Sequence, residues 1–187
     1  MSRVTAHSQA RGNTQRPMQR VIVIGCGGAG KSAFSRQLAQ RTGLPLHHLD
    51  ALYWQPGWTE PSKHDWQSRI DALLAQPRWI LDGNFGGTLE RRLAASDAVV
   101  FMDTPALVCL WRVILRRIRH HGHARPGMAA GCNERLDMGF VAWILGYPFQ
   151  RRPALVRLLQ EVGAQKQVVV LRSTAQANIF LDSIRHG

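Results

Sequence analysis

Apolar residues recur along this chain in two rhythms. A β-branched run at 20–24 and short runs at 45–49, 79–81, 98–102 and 167–171 have strand length. After Arg20 the first is continuously apolar, and so is the fourth, as strands buried on both faces are. Between them the spacing turns helical. Residues 31–41 carry Phe34 and Leu38 four apart, and Ser62, with Asp65 three residues on, can start a helix that aligns Trp66, Ile70, Leu73 and Leu74. A short helix is predicted over 89–94. A strong one is predicted over 106–119, with Leu107, Leu110, Ile114 and Ile118 as its apolar positions. Asn133 can cap a helix running through Trp143 and Ile144 that Pro148 interrupts. Residues 152–162 and 175–184 complete the pattern. Strands alternating with helices predict an α/β domain with a parallel sheet covered on both faces.

Composition narrows the classes. The longest apolar runs are strand-length, far below the ~20 residues a membrane-spanning helix needs, so no membrane association is expected. Residues 1–18 are polar and basic and read as a flexible tail ahead of a domain at 19–187, without the pattern of a secretory leader. Cys26, Cys109 and Cys132 show no pairing or zinc-site spacing, which points to free thiols and a cytoplasmic protein. The net charge of +12 comes from 21 arginines and 3 lysines against 12 acidic residues. Such a charge attracts anions, whether nucleotides, nucleic acids or acidic surfaces, without choosing among them.

The sharpest chemical signal is Gly25-Cys26-Gly27-Gly28-Ala29-Gly30-Lys31-Ser32, which matches G-x-x-x-x-G-K-[ST] at every fixed position, between a predicted strand and a predicted helix. Glycines there let backbone N–H groups turn inward around phosphates, and the following helix directs its positive end at them. ATP or GTP is the expected ligand of Gly25 to Ala33, with Lys31 on the terminal phosphates and the Ser32 hydroxyl on Mg2+. Cys26 lies inside this loop near a helix N-terminus, where a thiol's pKa is lowered and bound nucleotide would cover it.

Ligands of open parallel sheets sit at the carboxyl ends of the strands. Asp50, Asp82 and Asp103 each end a predicted strand, whereas Asp97 precedes one and reads as a solvated turn residue. Asp50 is placed to accept a hydroxyl proton or orient an acceptor, or simply to cap a turn. Asp82 and Asp103 follow equally apolar runs, and local pattern does not separate them as the carboxylate that holds magnesium through water. Past Asp50, Tyr53, Trp54 and Trp58 with Pro56 and Gly57 form a rigid aromatic segment, which either walls an acceptor pocket or packs the segment onto the domain.

The loop GCGGAGKS, the segment HLDALYWQPGW (48–58), the segment WILDGNFGGTLERRL (79–93) and the helix CLWRVILRR (109–117) follow one another in this order. Together they resemble the adenylate-kinase-like P-loop proteins labelled DNA topology modulation (FlaR-like) proteins, over roughly residues 20–173. The resemblance implies a three-layer, nucleoside-monophosphate-kinase-like fold with five parallel strands in the order 2-3-1-4-5. It also implies an acceptor-binding segment near 50–78 and a short lid near 119–133. ILDGNFGGT is similar to the strand-ending LDGFPRT of adenylate kinases, which puts Asp82 at the magnesium-associated position, Asn84 beside the acceptor, and Asp103 on a structural strand. The arginine that adenylate kinases carry at the position of Gly86-Gly87 is missing here. Arg91 or Arg92 is left to take its place at the acceptor, and Arg92 is our choice.

Arg112, Arg116 and Arg119 are spaced to share one face of their helix, opposite Leu110, Ile114 and Ile118. Likeness to the lid arginines of nucleotide kinases assigns Arg112 and Arg116 to the transferring phosphoryl group. A solvated face or a phosphodiester backbone would also accept these charges. His120, His121 and His123 lack metal-ligand partners and read as lid surface. The leading expectation is a kinase using ATP and Mg2+ on a small-molecule acceptor. A nucleotide-dependent DNA-binding regulator is the alternative, and any nucleic-acid binding through the basic charge would be sequence-blind. Oligomeric state is left open.

Overall fold

Strand β1 (Arg20–Gly25) runs through the centre of the molecule, and its side chains divide between two cores. In a computed structural model that describes residues 18–119 and 138–184, Val21 and Val23 point to one face of the sheet, and Ile22 and Ile24 to the other. This two-sided burial is why the run is uniformly apolar rather than alternating. Strands β2 (Leu46–His48), β3 (Trp79–Asp82), β4 (Ala98–Met102) and β5 (Gln167–Leu171) join β1 in one parallel sheet. The order is β2-β3-β1-β4-β5, as the resemblance implies. The tail at 1–17, the lid at 120–133, the three lid histidines and Asn133 lie outside the described residues.

One face of the sheet is covered by α1 (Lys31–Thr42), α5 (Ala106–Arg119), α6 (Met138–Gln150) and α8 (Thr174–Ser183), through Phe34, Leu38, Cys109, Val113, Ile144 and Leu181. The other face carries α2 (Leu49–Tyr53), α3 (Lys63–Leu74), α4 (Leu89–Ala95) and α7 (Arg152–Val162), through Leu49, Trp66, Ile70, Leu93 and Leu159. The cap at Ser62 forms as its spacing predicts, its hydroxyl accepting from the Asp65 N–H at 3.0 Å.

Strand register gathers the ends of the central strands. Val23 lies opposite Asp82, His48 opposite Asp82, and Gly25 opposite Met102, so the carboxyl ends of β1 to β4 lie side by side along one edge of the sheet. Asp97 is exposed, yet its carboxylate accepts from the Gln19 and Arg20 N–H groups and anchors the entry to β1.

Three local expectations are corrected. Asp50 does not end a strand: β2 stops at His48, and Asp50 lies in the first turn of the five-residue helix α2, too short to show a period. Pro148 does not interrupt α6, which runs two residues further. Proline there costs only one hydrogen bond of a final turn, and the break falls at Arg151.

Helix α5 differs in which side it buries. Its buried residues are Cys109 and Val113, while Leu107 and Ile118 are 73% and 69% exposed. Arg112 and Arg116 stand three and seven residues from Cys109 and therefore share its inward face. The two ends of the expected apolar stripe turn outward while Leu110 still packs against the core, because the side with Cys109 and Val113 sits on the phosphate loop.

Candidate active site

The glycine loop is shaped by contacts from β4 and α5. Gly25 has φ 147°, and a Cβ there would stand 2.4 Å from the Met102 carbonyl oxygen. Gly28 has φ 83°, and a Cβ there would stand 2.3 Å from the Cys109 carbonyl oxygen. At both positions the backbone conformation and the close approach admit glycine alone. From inside the loop, Lys31 Nζ donates to the carbonyls of Gly25 (2.9 Å) and Cys26 (3.0 Å). From β3's exit, Asn84 Oδ1 accepts from the Gly25 N–H at 3.0 Å, tying the loop to the neighbouring strand end.

A cavity of about 680 Å³ opens over this loop, within the range that holds small ligands. Gly27, Gly28, Gly30, Lys31, Ser32 and Ala33 form its floor. Arg112 and Arg116 of α5 face it, and Asp50 and Trp54 of the segment after β2 line it too, together with Asn84. Residues from four separate stretches of sequence thus meet around one volume. Arg112 is held in place, Nη1 donating to the Ala29 carbonyl (3.2 Å) and Nη2 to Thr174 Oγ1 (2.9 Å).

The cavity also has walls that sequence spacing does not reveal. Phe140 and Trp143 of α6 line it, stacked with centroids 5.7 Å apart and planes 9° apart, and Phe85 lines it from the loop after β3. No local signal marks these aromatics, which read as ordinary core positions. Arg36 lines it as well, four residues beyond Ser32 on the same side of α1.

Other expected site residues lie elsewhere. Tyr53 does not line the cavity. Its ring packs against Trp54 (5.0 Å), Trp66 (4.9 Å) and Phe85 (4.7 Å), fastening the aromatic segment to α3 and to the exit of β3. Trp58 packs on Trp54 at 5.4 Å. The segment therefore both packs and lines, with Trp54 alone of its aromatics facing the cavity.

Cys26 does not line the cavity. Its side chain is buried beneath the loop in the core. A hydrogen bond with the Cys109 side chain and burial together push its thiol well above the ordinary value. The expected lowering is overturned because the thiol is bonded to Cys109 in the core, where desolvation also opposes the charged form. Ala29 is likewise buried, so these two residues could reach a nucleotide through backbone groups alone.

Arg92 is not an acceptor ligand but a clamp. It is fully buried. Nη1 donates to the Gly83 carbonyl (2.8 Å), Nη2 to those of Asn84 and Phe85, and Nε to Thr88 Oγ1 (3.2 Å). Burial lowers its pKa to about 10. These bonds hold the turn that presents Asn84, including Phe85 at φ 33°, a conformation unfavourable for a residue with a Cβ. Arg91, the other candidate, pairs with Asp71 of α3. Arg92→Ala takes the guanidinium donor from three backbone carbonyls, of which only that of Phe85 keeps another, the Thr88 N–H, and opens a cavity, so it is expected to cost roughly 3 kcal/mol or more of stability. Urea denaturation measures this. A loss below about 1 kcal/mol would mean that the turn holds itself.

The two strand-end aspartates differ in what engages them. Asp103 is gripped by Arg152, Nε to Oδ1 and Nη2 to Oδ2 at 2.7 Å each, with Arg172 Nε at 3.7 Å. Asp82 is 4% exposed and accepts from His48 Nδ1 at 2.8 Å through Oδ2. Its Oδ1 is buried and has no hydrogen-bond partner. Buried polar atoms are nearly always paired, so this oxygen has capacity left for a partner; Asp82 itself does not line the cavity, whose wall begins with the next residues, Gly83 and Asn84.

No protein-family model matches the sequence, and a search of curated proteins finds no match. Among solved structures the chain is similar to a shikimate kinase from Acinetobacter baumannii in complex with shikimate, at 16% identity and a TM-score of 0.55 over 89% of this chain and 90% of that one. It is also similar to a gluconokinase from Sinorhizobium meliloti, at 15% identity and a TM-score of 0.50 over 90% and 94% of the respective chains. Phosphate loop, parallel sheet and strand order together give this chain the fold of P-loop kinases.

Proposed function

We propose that this protein is a kinase that transfers the γ-phosphoryl group of ATP to a small acceptor with the help of Mg2+. The observation that carries this reading is the shared cavity, in which the loop with Lys31 and Ser32, the arginines of α5 and the carboxylate of Asp50 meet. A nucleotide-binding site alone would not need the last of these. Phosphoryl transfer is catalysed chiefly by positioning and charge stabilisation. Lys31 is suited to the terminal phosphates, and Arg112 and Arg116 to the charge that develops on the transferred group. Asp50 takes the acceptor's hydroxyl proton as its oxygen attacks the phosphorus and the bond to ADP breaks. Trp54, Phe85, Phe140 and Trp143 exclude water from the cavity and offer flat faces to the ligand rings.

The donor set fits magnesium, a hard ion that takes oxygen ligands and retains several waters. Ser32 would bind it directly, and Asp82 would hold it through water by the spare Oδ1. The ion supplies neutralisation of charge on the phosphates. Among the described residues no group of three or more His, Cys, Asp or Glu is arranged to cage a metal, so the remaining ligands would be phosphate oxygens and water. Resemblance to the FlaR-like proteins agrees with this reading, although their label speaks of DNA.

The test is ATP-to-ADP conversion measured against a panel of hydroxy acids, polyols and nucleoside monophosphates, with shikimate and gluconate included because kinases of similar fold carry those names. The expected outcome is turnover that rises sharply with one class of acceptor and yields its phosphate ester. Turnover indifferent to every acceptor yet stimulated by DNA would instead favour the regulatory ATPase.

A further inference from the structure

The contact between His48 and Asp82 is not needed to build the fold's core, yet it joins two strands at the edge of the site. The two residues are cross-strand partners in the β2–β3 ladder, so both side chains leave the same side of the sheet. His48 lies on a strand rather than a loop, and its ring is mostly buried, at 17% exposure. Its Nδ1–H donates to Asp82 Oδ2 at 2.8 Å. A carboxylate with two free rotamers presents either oxygen to a ligand. One whose Oδ2 is held presents only Oδ1, the oxygen that lacks a partner here. Asp103 shows the contrast, since a bidentate arginine occupies both of its oxygens.

We propose that His48 is the positioning residue of the metal-associated carboxylate, holding Asp82 by Oδ2 so that Oδ1 is directed to a magnesium-bound water. The proposal rests on the assignment of Asp82 to magnesium in the kinase reading. Partners one shell out from the metal typically change its affinity 10- to 100-fold when removed. The role belongs to the Nδ1–H donor, and the nucleotide's own contacts with the loop do not depend on it.

Mn2+ is the probe, its free concentration read by electron paramagnetic resonance in the presence of saturating ADP. His48→Asn keeps an N–H near the position of Nδ1, whereas His48→Leu is of similar bulk and has none. The Leu variant is expected to weaken Mn2+ binding about 10-fold or more, as is Asp82→Asn, while the Asn variant stays within a few-fold of the native chain. ADP affinity without metal should be unchanged in all three. His48→Ala, read in the same way, replaces the Leu variant if that chain does not fold. Native Mn2+ affinity in His48→Leu, with a loss in Asp82→Asn, overturns the role of His48 and leaves the kinase reading standing. Equal losses in the Leu and Asn variants also overturn it, because the donor would not be what matters. Native affinity in Asp82→Asn removes Asp82 from the metal site, and this proposal with it, whereas absence of phosphoryl transfer with intact Mn2+ responses counts against the kinase reading alone.

Discussion

Lys31→Ala is expected to reduce phosphoryl transfer about 1,000-fold or more while leaving the chain folded. The ammonium group sits inside the glycine loop, bridging the carbonyls of Gly25 and Cys26, on the floor of the cavity that the α5 arginines also line. Removing a preorganised charge from a transferring phosphoryl group typically costs a few kcal/mol, and each ~1.4 kcal/mol is tenfold in rate. Folding should suffer little. Lys31 is half-exposed, so the carbonyls it leaves can turn to water, and alanine is a good first residue for α1. Steady-state turnover, Mg-ATP affinity from tryptophan fluorescence, and thermal melting together test this. Turnover near the native rate in a folded Lys31→Ala chain would remove the phosphate loop from the chemistry and end the kinase reading.

Asp50→Asn separates chemistry from binding. Asp50 lines the same cavity from the first turn of α2, on the opposite side of the sheet's edge from the arginines of α5. Asparagine keeps the size and a hydrogen-bonding oxygen but cannot take a proton. General-base catalysis contributes about 100- to 10,000-fold, and kcat should fall by an amount in that range while ATP affinity stays within a few-fold. Loss of negative charge in a first helical turn costs at most about 1 kcal/mol, too little to unfold the domain. A fall in ATP affinity with kcat preserved would place Asp50 on the donor side and exclude it as the base.

Much of this molecule is legible without coordinates. Loop, flanking strand and flanking helix are contiguous, and a G-x-x-x-x-G-K-S segment carries its own backbone requirements. The same holds for the sheet's central strands, whose two-sided burial is written as apolar runs, and for α5, whose start at Ala106 matches its pattern to the residue. Strand order came through the resemblance to a family, since no local pattern states which strand lies beside which.

Tertiary structure decided the rest, wherever a residue's role depends on something distant. The period of α5 is set by its sequence, but which stripe faces inward was settled by the loop beneath it, whose Gly28 admits the helix backbone and whose Ala29 carbonyl accepts from Arg112. Arg92 and Arg112 carry the same chemistry, yet one is buried against the carbonyls of a turn and the other borders the cavity. Cys26 follows a strand whose side chains alternate between faces, and its hydrogen bond with Cys109, 83 residues away, and its burial beneath the loop raise the thiol's pKa. His48 and Asp82 stand 34 residues apart and become neighbours solely through the β2–β3 register. Local sequence fixes backbone propensity and side-chain period, which act over a few residues. Which group faces the core, a carbonyl or a ligand is a matter of contact across the fold, and only the packed chain brings those partners together.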